Sequence, residues 1–153
     1  MSHPVAQVRQ DFAGRIDAIS GAWNLSPVPW HQHGADGVPN PAPSTTLHLS
    51  FSVGVPQSEA AGNRQRSDVG AFVTTTVNVR FFARYDRLAG LASEDAMLGH
   101  EADLIEQVMD QSPAWPVHFK ITRWVDSERT LIPTGEWYRV EVRFDVLHLI
   151  SLT

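Results

Sequence analysis

Two histidines separated by a single glutamine, His31 and His33, are the residues of this sequence best placed to bind a metal ion. Such a pair can chelate zinc from an extended segment, but a metal site needs a third ligand and hydrogen-bonded support behind it. His100 and Glu101 begin like the helical zinc-protease motif, but Leu104 stands where that motif requires its second histidine. The sequence therefore predicts no metal and no cofactor. A small metal-binding or hydrolytic domain that uses His31 and His33 is the alternative.

The spacing of the other reactive residues does not favour catalysis. The sequence has no cysteine, no nucleophile elbow, no phosphate-binding glycine loop and no dinucleotide-binding fingerprint. Two carboxylate pairs, Glu94 with Asp95 and Glu101 with Asp103, fall on a predicted helix, where acidic residues are more typical of a solvated face. We therefore expect that this protein is not an enzyme.

The composition is that of a single globular domain. The 153 residues, of which 42% are hydrophobic and 19% are charged, are enough to bury a continuous core without disulfides. A net charge of −5 argues against nucleic-acid binding by phosphate neutralisation, and no apolar stretch reaches the roughly 20 residues of a membrane span. We predict one soluble domain over residues 1–153, with long loops at 24–46 and 56–71.

Apolar periodicity predicts two helices and four strands. A stripe at intervals of three and four residues indicates a first helix from about Val5 to Trp23. A second helix is predicted from an N-cap at Ser93. Its inward stripe comprises Leu98, Ala102, Ile105 and Met109. Period-two alternation predicts strands over residues 47–55, 72–85, 117–125 and 137–150.

This order of elements, α-β-β-α-β-β, predicts an α+β fold. Each strand alternates apolar and polar residues, which is typical of a sheet with one buried face. The expected architecture is a two-layer domain in which two helices pack on one face of a mostly antiparallel, four-stranded sheet. Pro56 is expected to end the first strand, because proline cannot donate a hydrogen bond to a neighbouring strand.

Residues suited to protein contacts are more numerous than residues suited to catalysis. Lys120 is the only lysine, and the planar guanidinium of the arginines suits bidentate pairing at interfaces, unless the bias reflects base composition. Trp124 is predicted on the polar face of the third strand, where it contacts either another subunit or the chain's own loops. If the second and fourth strands are neighbours, Arg80 and Arg84 can pair with acidic residues of the fourth. The candidate interface residues are Trp30, Arg64, Arg66, Asp68, Arg80, Arg84, Trp124, Arg139 and Arg143.

Three segments follow one another along the chain: the strand end at 53–56 (VGVP), the run at 73–81 (VTTTVNVRF) and the helical segment at 103–109 (DLIEQVM). With a leading helix, a proline-broken connection and two closing strands, they resemble the tail terminator (tail completion, or minor tail) proteins of long-tailed bacteriophages. The likeness is one of element order, size and sequence texture, and it covers most of the chain.

The resemblance implies a structural virion protein that caps the head-proximal end of a tail tube as a ring, hexameric in that family. Its partners would be copies of itself, the tail-tube protein and the head–tail connector, and DNA would pass through without sequence-specific binding. The loop between the first two strands, with Arg64, Arg66 and Asp68, would lie near ring contacts or the lumen. We expect a location in the neck region of the virion tail after assembly in the host cytoplasm, with no membrane partner. Another connector or tube subunit of the same particle is the alternative.

Overall fold

The computed structural model describes residues 4–19, 23–26, 47–61, 71–110, 119–132 and 136–150. Over these residues the chain is α+β, as predicted, with two helices and a five-stranded mixed sheet. The elements in chain order are α1 Pro4–Asp17, β1 Asn24–Leu25, β2 Ser50–Ala60, β3 Ala71–Arg84, α2 Leu91–Met109, β4 Phe119–Leu131 and β5 Trp137–Ile150.

The sheet has the strand order β1-β2-β3-β5-β4. The four long strands pair with one another in antiparallel orientation. β1 pairs with β2 in parallel, with Asn24 opposite Ser50 and Leu25 opposite Phe51. The prediction of four strands was wrong because β1 has only two residues, too few to show a period-two pattern. β1 also shortens the loop predicted at 24–46.

The first long strand does not end at Pro56, contrary to the prediction. β2 runs on to Ala60, and its register with β3 shifts between Gly54 and Gln57. A bulge of this kind takes Pro56 out of the hydrogen-bonded ladder, so the missing proline N–H costs no strand pairing. The predicted loop at 56–71 is therefore too long, because its first five residues belong to β2 and its last belongs to β3.

α1 buries the predicted apolar stripe against the sheet. Phe12 has no solvent exposure and lies edge-on to Phe144, with the ring centroids 5.4 Å apart. The helix ends at Asp17, earlier than predicted, but Trp23 is still buried and lies edge-on to Phe81 at 5.1 Å. The apolar spacing therefore predicted the burial of Trp23 correctly but not the length of the helix.

Both helices cover the same face of the sheet, as predicted. Their buried side chains join those of the sheet in one continuous cluster. In β3 and β5 this covered face consists of alternate residues, as period-two pleating requires. They are Val77, Val79, Phe81, Ala83, Val140, Val142, Phe144 and Val146. We call the opposite side of the sheet the outer face.

α2 begins three residues earlier than predicted and has no side-chain cap. Its N-cap is Gly90, with a φ of 52°, a conformation that glycine adopts without steric cost. Ser93 was predicted to be the N-cap, and this was wrong. Its hydroxyl instead accepts a hydrogen bond from the backbone N–H of Asp86 at 3.1 Å. The serine therefore closes the turn that leads into the helix.

The side of α2 that packs on the sheet is not the predicted one. Its buried residues are Met97, Glu101, Leu104 and Val108. The predicted inward stripe lies mostly at the surface instead, with Leu98, Ala102 and Met109 exposed and Ile105 half-buried. Two apolar stripes at helical spacing run along this helix, and spacing alone does not decide which of them meets the core.

Replacing Gly14 with alanine should stabilise the domain. Gly14 is exposed within α1, and a Cβ added there would meet no atom within 4 Å. Alanine is preferred to glycine inside a helix, so we expect the free energy of unfolding to rise by about 0.5–1 kcal/mol in urea denaturation. Gly90→Ala is the matched control and should destabilise, because its φ is positive. Equal effects of the two substitutions would contradict the helix boundaries.

Candidate functional site

β4 forms one edge of the sheet. Of the strands that the structure describes, only β5 pairs with it, so the other side of β4 presents backbone groups without a neighbouring strand. The strand has 13 residues, more than twice the usual length of about 5–6. It was predicted to end at residue 125, but it runs on to Leu131, because its second half is polar and hides the alternation.

Large apolar side chains are exposed along this edge. Trp124, Val125 and Leu131 each expose between 40% and 44% of their surface. Natural edge strands are usually short, charged or covered, because a long apolar edge pairs with other chains. Exposed apolar patches on soluble proteins therefore mark interaction sites more often than chance. The combination of length, open backbone and apolar side chains makes β4 the candidate functional site.

Trp124 does not lie on the face predicted for it. It stands directly opposite Phe144, a residue of the covered face, so Trp124 lies on the side of the sheet that carries the helices. Its indole N–H donates a hydrogen bond to the Ser127 hydroxyl at 3.2 Å. The register of β4 shifts between Phe119 and Ile121, and such a shift reverses which residues face inward. The sequence pattern does not reveal this shift.

Period-two alternation in the third predicted strand places Val125 on its inward face, and this prediction was also wrong. The register with β5 shifts a second time between Trp124 and Asp126, which leaves Val125 without a partner in the ladder. At this bulge Val125 is exposed. Bulges bend an edge strand and redirect its side chains, and they are common next to functional sites.

The outer face carries a ladder of ion pairs. β3 and β5 are neighbours, the condition on which the sequence prediction of such pairs depended. The nitrogen–oxygen distances of three hydrogen-bonded pairs are 2.8, 2.9 and 3.0 Å. They join Arg80 to Glu141, Arg123 to Asp145, and Arg143 to Asp126. Because these acidic partners belong to the chain itself, this face is balanced in charge.

The remaining candidate residues take different positions. Arg84 stands opposite the uncharged Trp137, and Arg139 stands opposite Phe82, with its guanidinium 3.9 Å from Glu141. Arg84 was predicted to pair with an acidic residue on the neighbouring strand, but the residue opposite it, Trp137, carries no charge. The candidates that lie outside the described residues are Trp30, His31, His33, Arg64, Arg66 and Asp68.

An ion pair fastens β4 to α2. Arg129 donates two hydrogen bonds to the Glu101 carboxylate, at 2.8 and 2.6 Å. Glu101 is only 5% exposed, so the prediction of a solvated carboxylate was wrong. The pairing raises the pKa of Arg129, chiefly through the hydrogen bond to Glu101. Because this carboxylate is satisfied by Arg129, it holds the edge strand in place rather than offering a general acid or base.

A chain of polar side chains crosses the sheet near its other end. The Ser58 and Thr75 hydroxyls are hydrogen-bonded at 2.8 Å, and Thr75 is hydrogen-bonded to Nε2 of His148 at 2.6 Å. A hydroxyl beside an imidazole is the pairing used in nucleophilic catalysis. Here Thr75 and His148 have no exposed surface, so a substrate could not reach them in this conformation. These hydrogen bonds link exposed Ser58 on β2 to two buried polar side chains, Thr75 and His148.

Replacing Thr75 with valine should destabilise the domain modestly. Valine preserves the shape but removes the hydroxyl that bonds both Ser58 and His148. We expect the free energy of unfolding to fall by about 1–2 kcal/mol in urea denaturation. Thr74→Val is the matched control on the outer face and should change stability by less than about 0.5 kcal/mol. An equal loss in both variants would mean that the buried hydroxyl makes no special contribution.

Among the described residues, the structure brings the imidazoles of His48 and His100 together, whereas the predicted pair, His31 and His33, lies outside those residues. The ring centroids of His48 and His100 are 5.7 Å apart. Burial lowers the pKa of His48, and His100 and Arg84 lower it further, which favours the neutral ring. The neutral Nδ1 of His48 accepts a hydrogen bond from the Arg84 backbone N–H at 3.1 Å. Within the described residues, no group of three or more histidine, aspartate or glutamate side chains could hold a metal ion.

Comparison of the sequence with models of known protein families and with curated proteins found no match. Neither helix in the described part of the chain is long and apolar enough to cross a lipid bilayer.

Proposed function

We propose that this protein is a structural component that assembles into a closed ring through the open edge of β4. The observation that carries the proposal is the 13-residue edge strand with Trp124, Val125 and Leu131 exposed along it. Such an edge can form backbone hydrogen bonds with a second chain, while the apolar side chains are removed from water. Tryptophan is also among the residues that most often dominate the binding energy of an interface.

A closed ring requires two different surfaces, one on each side of every subunit. The outer edge of β2 is the complementary surface that we propose. β1 covers this edge only at Ser50 and Phe51, and the exposed residues from Gln57 to Ala60 lie beyond it. If β4 of one copy pairs with β2 of the next, the sheets join head to tail around the ring. The β4-to-β4 alternative would produce a twofold dimer that cannot grow or close further.

We also propose where this ring lies in a phage particle. By resemblance to tail terminator proteins, we propose a hexamer that caps the head-proximal end of the tail tube and meets the head–tail connector. The net charge of −5 supports a conduit role, since DNA slides past a negative wall without adhering to it. Arg64, Arg66 and Asp68 lie outside the described residues, in the stretch of sequence between the end of β2 and the start of β3.

Electron microscopy of the purified protein, combined with light scattering over a range of concentrations, tests this function. We expect closed rings of uniform subunit number that become more abundant as the concentration rises, and that bind one end of isolated tail tubes. The absence of rings at high concentration and in the presence of tail tubes would contradict the proposal. Twofold dimers alone would contradict the head-to-tail arrangement while leaving β4 as an interface.

A further inference from the structure

α2 carries a second apolar stripe that the described part of the chain leaves largely exposed. The stripe consists of Leu91, Leu98, Ala102 and Met109, with half-buried Ile105, which also packs against the core, at its inner border. Successive spacings of seven, four, three and four residues place all five on one side of the helix. Leu91 is 76% exposed, and Leu98 and Met109 are 36% and 37% exposed. We call this surface the α2 stripe.

The α2 stripe cannot turn inward, because the other apolar side of the helix is already fixed. Met97, Leu104 and Val108 are fully or almost fully buried, and Glu101 on the same side is bonded to Arg129. The two stripes lie about a quarter-turn or more apart around the helix at 3.6 residues per turn. Over 19 residues, or about 28 Å, the α2 stripe presents a regular seam of the kind that receives another helix.

The charged side chains of α2 itself have a single sign. Residues 91–110 contain six carboxylates and no lysine or arginine. Glu101 is bonded to Arg129, and Arg15 of α1 lies beside Asp110. Three exposed carboxylates border the stripe at 100° per residue: Glu94, Asp95 and Glu106. The stripe is therefore an apolar seam with acidic borders.

We propose that the α2 stripe binds a helix of another protein, with an apolar seam bordered by arginine or lysine. Basic borders would pair with the exposed carboxylates, while two apolar seams pack together. A second copy of this chain fits poorly, because two α2 helices would bring carboxylates against carboxylates. The outer-face arginines of a second copy could not easily supply the basic borders, because Arg80, Arg123 and Arg143 already bond acidic residues of their own chain. The α2 stripe is distinct from the backbone edge of β4, so this partner does not depend on ring formation.

Two synthetic helical peptides with the same leucine seam provide the test, one with arginine borders and one with glutamate borders. Fluorescence anisotropy should show binding of the arginine peptide at least about tenfold tighter than that of the glutamate peptide, and salt should weaken it. Leu98→Glu should weaken binding by at least about tenfold. Leu88→Glu is the matched control, because Leu88 is almost fully exposed in the turn before α2, outside the stripe, and it should leave binding unchanged.

Circular dichroism of both variants should match the wild type, because both leucines lie at the surface. Failure of the arginine peptide to bind, or equal binding of the two peptides, would overturn the proposal. So would a loss in Leu88→Glu as large as that in Leu98→Glu. A concentration-dependent dimer of the wild-type protein that Leu98→Glu abolishes would show that the occupant is a second copy, and would overturn the choice of a basic partner.

Discussion

Replacing Trp124 with lysine should prevent ring assembly while leaving the domain folded. Trp124 is 44% exposed on the edge strand, and lysine on an edge strand opposes pairing with another chain. Loss of an interfacial tryptophan costs about 2 kcal/mol or more, which weakens each subunit contact about 30-fold. Because every subunit in a ring makes two such contacts, the effect multiplies around the ring. Light scattering and electron microscopy of the wild type and the variant at equal concentration measure it.

Leu88→Lys is the matched control for this experiment. Leu88 is 98% exposed in the turn before α2, outside β4 and outside the proposed β2 contact. We expect it to assemble like the wild type. If both lysine variants lose assembly equally, general loss of surface hydrophobicity is the cause, and the role proposed for β4 fails.

Replacing Arg129 with alanine should lower the free energy of unfolding by about 2–3 kcal/mol. The Glu101 carboxylate, only 5% exposed, would lose both of its hydrogen bonds to Arg129. Breaking a fully buried ion pair costs about 3–5 kcal/mol, but the Arg129 side chain is 43% exposed, so water can replace part of the loss. Urea denaturation near pH 7 measures the difference.

Two further variants show whether the loss of stability comes from leaving the Glu101 charge buried without a partner. Replacing Glu101 and Arg129 together with leucine should recover most of the stability, because no unpaired charge stays buried. Arg123→Ala breaks an exposed pair with Asp145 and should cost less than about 1 kcal/mol. If Arg129→Ala costs no more than Arg123→Ala, the ion pair does not anchor β4 to α2.

The central strands were predictable because each has one buried face. β5 has the predicted bounds, and β3 is displaced by one residue from its prediction. Both strands place valine and phenylalanine at alternate positions over 14 residues, and tertiary packing follows that alternation directly. The α+β class and the position of both helices on one face follow from the same pattern.

The edge strand β4 and the surface of α2 were less predictable than the central strands. Trp124 was selected as a candidate from the sequence, but the register shift ahead of it changed its face, and a shift leaves no trace in the apolar pattern. Leu131 was missed because polar residues precede it on a strand whose two faces are both partly solvated. Glu101 was missed because its partner, Arg129, is 28 residues away, and the ion pair exists only in the folded chain.

Amide hydrogen exchange along β4 tests most directly whether copies of this chain join through that edge. In assembled wild-type protein, we expect amides in residues 119–131 to exchange more slowly than in the Trp124→Lys monomer, because their outward N–H groups bond the next subunit. Amides of the central strand β3 should exchange at similar rates in both. Rings whose β4 amides exchange as fast as those of the monomer would contradict assembly through this edge.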